Sequence, residues 1–365
     1  MQSEPLSILQ VITPHRFAGA ERICAQLAQR LIARGHHAYI AAPPRCQAFL
    51  DYVASLKVPL VPLPLGGKLN LRAPRLLASL ALDLQVDLFH SHLSTASLHT
   101  VRAARLSHLP AICHVHAMSG TRWYRGADLI LACTEGVARH LLASGLNDVP
   151  VQVVHNGVLP EEFDQVRPPE EMRAELELAP DAPVIGIVAS LTKRKGHVYL
   201  FHALQLLADE WPHLTCLCLG DGPLLGRLTK LARSLDIADQ VRFLGFRDDR
   251  LDVIQICDLL VLPSTGIEGF GLCIIEAAML GIPAIASRLP GVDEAVLDGQ
   301  TGLLVPPRDP EALAQAINRL LSDRTERRQL GNKARRRVRA EFTIDAMAKA
   351  TEAAYRRVLS RAASA

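Results

Sequence analysis

Glu268-Gly-Phe-Gly-Leu-Cys-Ile-Ile-Glu276 is the stretch of this sequence that decides its fold. A buried strand is predicted just before it, at Leu259–Leu262, because four apolar residues in a row suit a strand that is covered on both faces. A loop follows, and then a helix over residues 272–280 that Gly281 ends. Glu268 is therefore expected at the carboxyl end of a strand, and Glu276 within the following helix.

Two features of this stretch suit a bound nucleotide. Gly269 and Gly271 let the backbone approach a ligand closely, and the N–H groups at the helix start can bind phosphate or sugar oxygens. The carboxylate of Glu276 can accept hydrogen bonds from vicinal hydroxyls, as on a ribose. On these residues alone, a solvated loop glutamate and a surface helix glutamate are an equally good interpretation.

The composition suits one large or two medium α/β domains, and two are favoured. The chain has 365 residues, of which 49% are hydrophobic and 21% are charged, which allows ample core. Eight cysteines lie scattered, mostly within apolar runs and without a C-x-x-C pair, so we expect reduced core thiols. No apolar run reaches spanning length and the first residues lack an export signal, which predicts a soluble, cytoplasmic protein.

Strands and helices alternate along the chain. The predicted strands are residues 6–12, 38–42, 88–90, 111–115, 129–131 and 151–154 in the first half, and residues 184–189, 214–219, 241–243, 259–262, 282–286 and 302–305 in the second half. Such alternation with helices indicates two parallel, doubly wound sheets. Residues 159–183, rich in Glu and Pro, are predicted to link them.

Two glycine turns, one in each half, are candidates for holding an anion. Gly19 follows the first strand and precedes a helix, so its N–H can point at a phosphate, although an ordinary loop explains it equally. Gly220-Asp-Gly-Pro223 is a similar junction in the second half. Neither matches the G-x-G-x-x-G pattern of dinucleotide-binding folds, which argues against a nicotinamide-dependent dehydrogenase.

The motifs, taken in order, resemble a known family. Residues 268–283 look like the signature of the retaining GT-B glycosyltransferases of glycosyltransferase family four. Further blocks follow the family's order: Gly19-Ala-Glu21, His116 after a strand, Asn156-Gly-Val158, Lys195-Gly196, Gly220-Asp-Gly-Pro223, Phe243-Leu-Gly245, Pro263-Ser264, Pro290-Gly-Val-Asp-Glu294 and Gly302-Leu-Leu-Val-Pro306. The resemblance covers nearly the whole chain and is strongest over residues 184–306.

The resemblance implies a GT-B fold of the α/β class, with two Rossmann-like, doubly wound parallel-sheet domains facing a cleft. Residues 1–165 would form the acceptor-binding domain, with a last helix over residues 344–365 packing back on it. Residues 166–343 would bind the nucleotide sugar. The resemblance also implies a retaining hexosyltransferase that needs neither a metal nor a cofactor, with a nucleotide sugar, expected to be UDP-linked, as its donor.

The same resemblance gives roles to individual residues. The catalytic residues would be Glu268, His116 and Lys195. The donor-binding residues would be Gly19, Ser190, Arg194, Gly245, Phe246, Gly269, Phe270, Gly271, Leu272 and Glu276. Among all of these residues, Lys195 would contact the diphosphate of the donor, Gly19 its distal phosphate and Glu276 its ribose. A lysine and well-aimed N–H groups can stabilise a departing nucleoside diphosphate without a metal.

Two carboxylate groupings were candidates for a metal. Asp221 stands between glycines without a second acid, and Asp248-Asp249 is predicted to lie in a surface turn. Neither supplies the carboxylate pair between strands that a metal-dependent transferase needs. No metal ligand is therefore expected.

Ser190 departs from the family pattern. The family usually has an arginine five residues before the lysine of the Lys-Gly pair, as a second cation on the phosphates. Lys193 or Arg194 could reach the phosphates instead, or Lys195 and N–H groups could hold the donor alone. For Lys193 and Arg194, a solvated charged turn is the alternative.

Two histidine pairs follow strands in the first half. His90-x-His92 and His114-x-His116 each place two imidazoles on one face of a strand. A zinc site is conceivable, but neither a thiol pair nor a patterned carboxylate accompanies them, so wall or core positions are favoured. His116 fits the family histidine near the donor sugar, and His114 is the competing register.

Basic residues gather in the first half. Residues 88–127 contain no Asp or Glu, while the whole chain carries a net charge of only +3. The arginines of residues 88–127 are Arg102, Arg105, Arg122 and Arg125, and Lys68, Arg72 and Arg75 precede this segment. With Leu69, Leu71, Trp123 and Tyr124, this face suits a phosphorylated or lipid-linked acceptor at a membrane's inner surface, or simple solvation. No nucleic-acid recognition motif accompanies it.

These observations predict transfer of a hexose or N-acetylhexosamine to a lipid-linked or cell-envelope saccharide. A nucleotide-sugar epimerase or hydrolase on the same fold is one alternative. A non-catalytic GT-B scaffold subunit is another, because Ser190 departs from the pattern.

Overall fold

The computed structural model describes residues 4–117 and 120–362. The chain divides into two compact units. The first unit contains the described residues up to Gly157 and from Thr343 onward, and the second is Val158–Phe342. The sequence placed this boundary at residue 165, but the chain enters the second unit already at Val158.

In the described part of the first unit, one parallel sheet has the strand order β3-β2-β1-β4-β5-β6-β7. The strands are β1 (Ser7–Ile12), β2 (His37–Ala42), β3 (Leu60–Pro62), β4 (Leu88–His92), β5 (Ala111–Val115), β6 (Leu129–Ala132) and β7 (Val151–Val153). The helices are α1 (Gly19–Ala33), α2 (Gln47–Ser55), α3 (Ala73–Asp83), α4 (Ser94–Ser107), α5 (Glu135–Ala143) and the last helix of the chain, α14 (Ile344–Ala362).

The second unit repeats the design with six parallel strands in the order β10-β9-β8-β11-β12-β13. The strands are β8 (Val184–Val188), β9 (Thr215–Leu219), β10 (Val241–Gly245), β11 (Leu259–Leu262), β12 (Ala284–Ser287) and β13 (Gly302–Val305). The helices are α6 (Pro169–Glu175), α7 (His197–Leu207), α8 (Leu225–Ser234), α9 (Arg250–Gln255), α10 (Leu272–Met279), α11 (Val292–Ala295), α12 (Pro310–Ser322) and α13 (Arg324–Glu341).

The apolar strands form the centre of each unit. Strands β4, β5, β9 and β11 are buried along their whole length, as expected for parallel strands with helices on both faces. All eight cysteines are free and buried, which confirms the prediction of core thiols. Among residues 4–117 and 120–362, no helix is both long enough and apolar enough to pass through a membrane.

The predicted linker has a structure of its own. Residues 169–175 form α6, whose Met172 is fully buried in a core cluster of the second unit with Val184 and Val253. The prolines of this stretch favour a loop, but proline is also favoured at the first helical turn, where Pro169 lies and where the missing N–H costs nothing. The stretch therefore belongs to the second unit.

The chain passes between the units twice, and each unit closes tightly at these points. In the first unit, a Cβ on Gly157 would lie 2.3 Å from the carbonyl carbon of Thr343, so only glycine fits. In the second unit, the N–H of Val158 donates to the carbonyl oxygen of Phe342 at 2.9 Å. The two ends of the second unit are therefore neighbours.

Candidate active site

The turn that carries Lys195 is held against the end of β11. Residues Lys193–Lys195 form a short 3-10 turn after β8, and Gly196 follows with a φ of +71°. A Cβ on Gly196 would lie 1.8 Å from the carbonyl oxygen of Pro263, so no other residue allows this contact. The Lys-Gly pair thereby places Lys195 beside the loop that follows β11.

Side chains of that turn and of the loop after β11 are in contact, and we call them the Glu268 cluster: Arg194, Lys195, Ser264 and Glu268. The Nζ of Lys195 donates to both carboxylate oxygens of Glu268, at 2.8 and 2.9 Å. Ser264 Oγ donates to Glu268 Oε1 at 2.6 Å, and Arg194 Nη1 lies 2.7 Å from the same oxygen. Glu268 is only 4% exposed, so this is a buried carboxylate with two cations on it.

The pKa of Glu268 reflects both effects. Burial alone would raise the pKa of this carboxyl group, but Lys195, Ser264 and Arg194 together hold it below its ordinary value. Glu268 is therefore ionised at neutral pH, and Lys195 sits as a fixed positive charge against it. A ligand with two phosphates would find a cation already in place.

Helix α10 begins beside this cluster. Gly271 precedes it with a φ of +76°, and Phe270 packs edge-on against Phe342, with ring centroids 5.0 Å apart. Leu272 is the first residue of α10, and Glu276 lies one turn further along, nearly buried. Arg250 Nε and Nη2 both donate to Oε1 of Glu276, at 2.9 and 2.6 Å.

The region around the predicted donor-binding residues Gly245 and Phe246 is partly open. Gly245 ends β10 with a φ of +68°, and Phe246 is 53% exposed. Asp249 next to it is bound by Arg167 at 2.9 Å and by Arg247 at 2.6 and 2.7 Å. Because two arginines occupy its oxygens, Asp249 is not an open ligand for a metal.

In the first unit, four histidines form the histidine layer: His90, His92, His114 and His116. Their rings stack on one face of β4 and β5, with neighbouring ring centroids 4.2 to 5.5 Å apart. His92 Nδ1 lies 2.9 Å from His116 Nε2, and His90 Nδ1 lies 2.6 Å from the hydroxyl of Tyr355 on α14.

The side chain of Gln10 on β1 orders part of this layer. Its hydrogen bonds are consistent when the NH2 group donates to His92 Nε2 at 2.9 Å and to the Cys24 carbonyl, while its oxygen accepts from the N–H of Ala28. His92 Nε2 is then an acceptor, so the proton of His92 is on Nδ1 and is donated to His116.

Burial keeps the layer uncharged. It lowers the pKa of His90 to about 3 and that of His116 to about 4, and it holds the pKa values of His92 and His114 well below the ordinary value. Within the described residues, both ring nitrogens of His114 are buried without a hydrogen-bond partner, as is Nε2 of His90.

Three histidines of this layer have ring nitrogens close enough together to be considered as ligands of one metal ion. One nitrogen from each of His90, His92 and His114 lies within 4.8 Å of the other two. The plane of the His114 ring makes an angle of 12° with that of His90 and of 28° with that of His92. Because the rings are stacked in this way, their in-plane lone pairs point in similar directions and do not converge on one point. Both nitrogens of His92 are already engaged. The arrangement does not fit a tetrahedral metal site.

Two family models match the chain. The model "Glycosyltransferase Family 4" matches residues 17–162, and the model "Glycosyl transferases group 1" matches residues 169–337. This chain is a GT-B glycosyltransferase of the family-four type. The predicted family and the predicted pair of parallel-sheet domains are thereby confirmed.

Curated glycosyltransferases share this similarity over part of their length. A D-inositol 3-phosphate glycosyltransferase from Streptomyces bingchenggensis is 34% identical over 243 residues, 63% of this chain and 52% of that protein. The lipopolysaccharide core biosynthesis glycosyltransferase LpsE of Rhizobium meliloti is 29% identical over 225 residues, 62% of this chain and 63% of LpsE. The matched region spans less than two thirds of either relative.

A solved structure shares the fold over nearly the whole chain. HepE from Anabaena, crystallised in complex with UDP and glucose, superposes with a TM-score of 0.84 at 23% identity, covering 96% of this chain and 99% of HepE. At this identity the likeness concerns the fold alone.

The structure brings some of the predicted site residues of this glycosyltransferase together. Glu268, Lys195 and Arg194 are in contact, and Gly269, Phe270, Gly271 and Leu272 connect them along the chain to Glu276. Ser190 lies in the turn after β8, and its carbonyl oxygen accepts from Thr192. Gly19 begins α1, and His116 follows β5 in the first unit. The roles of all these residues stay predictions.

Three residues at these sites were not singled out for a role from the sequence. Ser264 was noted only as part of a motif, and Arg250 and Gln10 were not noted at all. Arg250 precedes Glu276 by a whole strand and loop, and its pairing depends on how α9 packs against α10. No periodicity or spacing signals such a pair.

Proposed function

We propose that this protein is a retaining, metal-independent glycosyltransferase that moves a hexose or N-acetylhexosamine from a UDP-linked donor to a lipid-linked or cell-envelope saccharide. The Glu268 cluster is the observation that carries this proposal. It combines a partly buried cation, Lys195, with a buried carboxylate at the carboxyl end of β11, where ligands of doubly wound sheets bind.

The chemistry of the cluster suits loss of a nucleoside diphosphate. As the bond between sugar and phosphate breaks, negative charge grows on the diphosphate, and Lys195 with the N–H groups at the start of α10 can stabilise it. Glu268 positions Lys195 and offers carboxylate oxygens to the hydroxyls of the sugar. Helix α10 further presents Glu276 to the ribose. No step in this account requires a metal ion.

The acceptor class rests on the relatives and on one surface. LpsE acts in lipopolysaccharide core biosynthesis by its name, and an acceptor of that kind is proposed for this chain as well. In the first unit, Lys68 Nζ and Arg122 Cζ lie 3.7 and 3.9 Å from the centre of the Trp123 ring, and Leu69 is 93% exposed. These residues, with exposed Leu71, form a basic apolar patch suited to a phosphorylated lipid at the inner face of a membrane.

The test is turnover with a panel of UDP-, GDP- and ADP-sugars in excess chelator, with and without lipid extract from bacterial envelopes. Nucleoside diphosphate release that depends on the lipid fraction is the expected result. The anomeric configuration of the product, read by proton NMR, should match that of the donor. Glu268→Gln, which keeps the size of the side chain but loses its charge, serves as the inactive control.

Each alternative leaves its own mark in this assay. Release of nucleoside diphosphate without an acceptor would indicate a hydrolase, and a changed sugar still attached to its nucleotide would indicate an epimerase. No turnover with any donor would favour a scaffold subunit. Turnover that stops in chelator and returns with magnesium or manganese would contradict the metal-free reaction.

A further inference from the structure

Arg250 holds the carboxylate of Glu276 by one oxygen only. It is the first residue of α9, and its Nε and Nη2 both donate to Oε1. The side chains of Arg250 and Glu276 are 13% and 9% exposed, so the pair is largely withdrawn from water. Among the described residues, no hydrogen bond reaches the second oxygen, Oε2.

This geometry differs from the usual fork of an arginine on a carboxylate, in which each oxygen takes one N–H. With both N–H groups on Oε1, the acceptor capacity of Oε2 stays open. A fork on both oxygens would compete with a ligand for Oε2. The observed contact instead fixes the orientation of the carboxylate and leaves one oxygen for hydroxyl donors.

A second carboxylate fixes Arg250 itself. Glu162, from the 3-10 turn Pro160–Gln165, lies 3.3 Å from Arg250 Nη2. Burial opposes the charge on Arg250, but Glu276 and Glu162 keep its pKa above the ordinary value, so the guanidinium stays charged. Arg250 also offsets the charge of Glu276, which would otherwise repel a bound diphosphate.

We propose that Arg250 is a positioning residue that aims Oε2 of Glu276 at the vicinal hydroxyls of the donor ribose. The proposal deepens the proposed function and rests on it, because it assumes a nucleoside diphosphate at this site. The proposal makes a specific claim about ligand selectivity. Arg250 is needed for the site to distinguish a ribose from a deoxyribose, and not merely to stabilise the fold.

The experiment measures that selectivity by calorimetry on the full chain. UDP is compared with 2′-deoxy-UDP, and the ADP and GDP pairs are run in parallel. Wild-type protein should bind the ribose form roughly tenfold to a hundredfold tighter, since a charge-assisted hydrogen bond is lost with the hydroxyl. Arg250→Met should lower this ratio to about threefold or less, close to the ratio of Glu276→Ala.

Arg327→Met is the matched control. Arg327 is a similarly buried arginine of the same unit, and it pairs with Asp258 at 3.0 Å and not with Glu276. Its replacement should leave the ribose selectivity unchanged. Arg250→Lys keeps a charge that can reach Oε1 without the planar fork, so it should restore part of the selectivity and serves if Arg250→Met does not fold.

The outcomes separate the two ideas. Equal loss of affinity for UDP and 2′-deoxy-UDP in Arg250→Met or Arg250→Lys, with the ratio unchanged, would make Arg250 purely structural. A wild-type protein that binds UDP without preferring the ribose would also overturn the proposal. If the wild-type protein binds none of the nucleoside diphosphates, the proposed function fails, and this proposal fails with it.

Discussion

Glu268 in the second unit and the histidine layer in the first unit are both buried, yet they differ in whether they carry charge. In the cluster, Lys195 and Arg194 oppose the effect of burial, and Glu268 stays ionised. In the histidine layer, burial prevails and the imidazoles stay neutral. The difference is whether an opposite charge lies within hydrogen-bond reach.

That difference in charge suits the two groups of residues to different roles. A cluster that keeps its charges can respond to charge that appears on a leaving diphosphate. A neutral layer contributes shape and single hydrogen bonds, such as the one between His92 and His116. We expect electrostatic substitutions to act mainly on turnover in the second unit, and pH to act mainly on stability in the first.

The largest expected effect is on stability in acid. A histidine whose pKa is lowered by folding binds fewer protons in the folded state, so its contribution is full above pH 6.5 and is lost as the pH falls towards about 4. As the pH falls through that window, protonation of each such histidine in the unfolded state should lower the free energy of unfolding by up to about 1.4 kcal/mol per pH unit. Urea unfolding at a series of pH values measures the slope.

His114→Leu should make that slope less steep, because it removes one of the neutral imidazoles. His213→Leu is the control, since His213 is exposed. Carboxyl groups with lowered pKa values, such as Glu268 and Glu352, act only below about pH 4.5, so they do not contribute to the slope between about pH 4.5 and 6.5. An unchanged slope in His114→Leu would mean that the layer accepts protons in the folded protein.

Next in size is the loss of the positive charge of Lys195. Lys195→Ala should lower kcat by roughly a hundredfold to a thousandfold, the range for removal of one group that stabilises transition-state charge. Lys230→Ala, which removes an exposed lysine of α8, should leave turnover unchanged. Initial rates of nucleoside diphosphate release measure both variants. A Lys195→Ala variant with near-normal kcat would remove this lysine from the reaction.

A smaller effect is expected at Arg194, which we propose as the second cation on the phosphates. Because Arg194 Nη1 already lies 2.7 Å from Glu268, Arg194→Ala should raise the KM for the donor by about threefold to tenfold. The gain from Ser190→Arg should then be less than about twofold, since the role is already filled. A large gain in Ser190→Arg with no loss in Arg194→Ala would show instead that the phosphate clamp is incomplete.

The smallest effect concerns charges that stay in water. Arg72, Arg75, Arg122 and Arg125 are all exposed, so each should add about 1 kcal/mol or less of attraction to an anionic membrane, and salt should screen it. Sedimentation with anionic and with neutral vesicles, at low and high salt, measures the binding. Equal partitioning into both vesicle types would assign these arginines to the acceptor or to solubility.

The sequence predicted the elements around the Glu268 cluster well. Strand β11 has the predicted bounds, because an apolar run closed by proline leaves little choice. The short strand Leu60–Pro62 was missed, since three residues among prolines carry no strand signal. Its pairing with β2 at the edge of the sheet exists only in the folded protein.

The candidate site divides in the same way. Glu268, Glu276 and Lys195 are visible in the sequence because glycines fix the backbone beside them. Arg250 and Gln10 are not, because their partners are set by the packing of helices and by the alignment of strands. Ion pairs between distant segments leave no local pattern in a single sequence.

The two crossings of the chain, between Gly157 and Val158 and between Phe342 and Thr343, give the second unit the topology of an inserted domain. Because Val158 and Phe342 are joined by a hydrogen bond, both ends of that unit leave it at one point. Residues 158–342 can therefore be cut out as one continuous fragment without opening a strand or a helix. In the remaining chain, Gly157 and Thr343 already touch, so a peptide of a few residues would rejoin them. The second unit is in this sense a continuous insertion into the chain of the first.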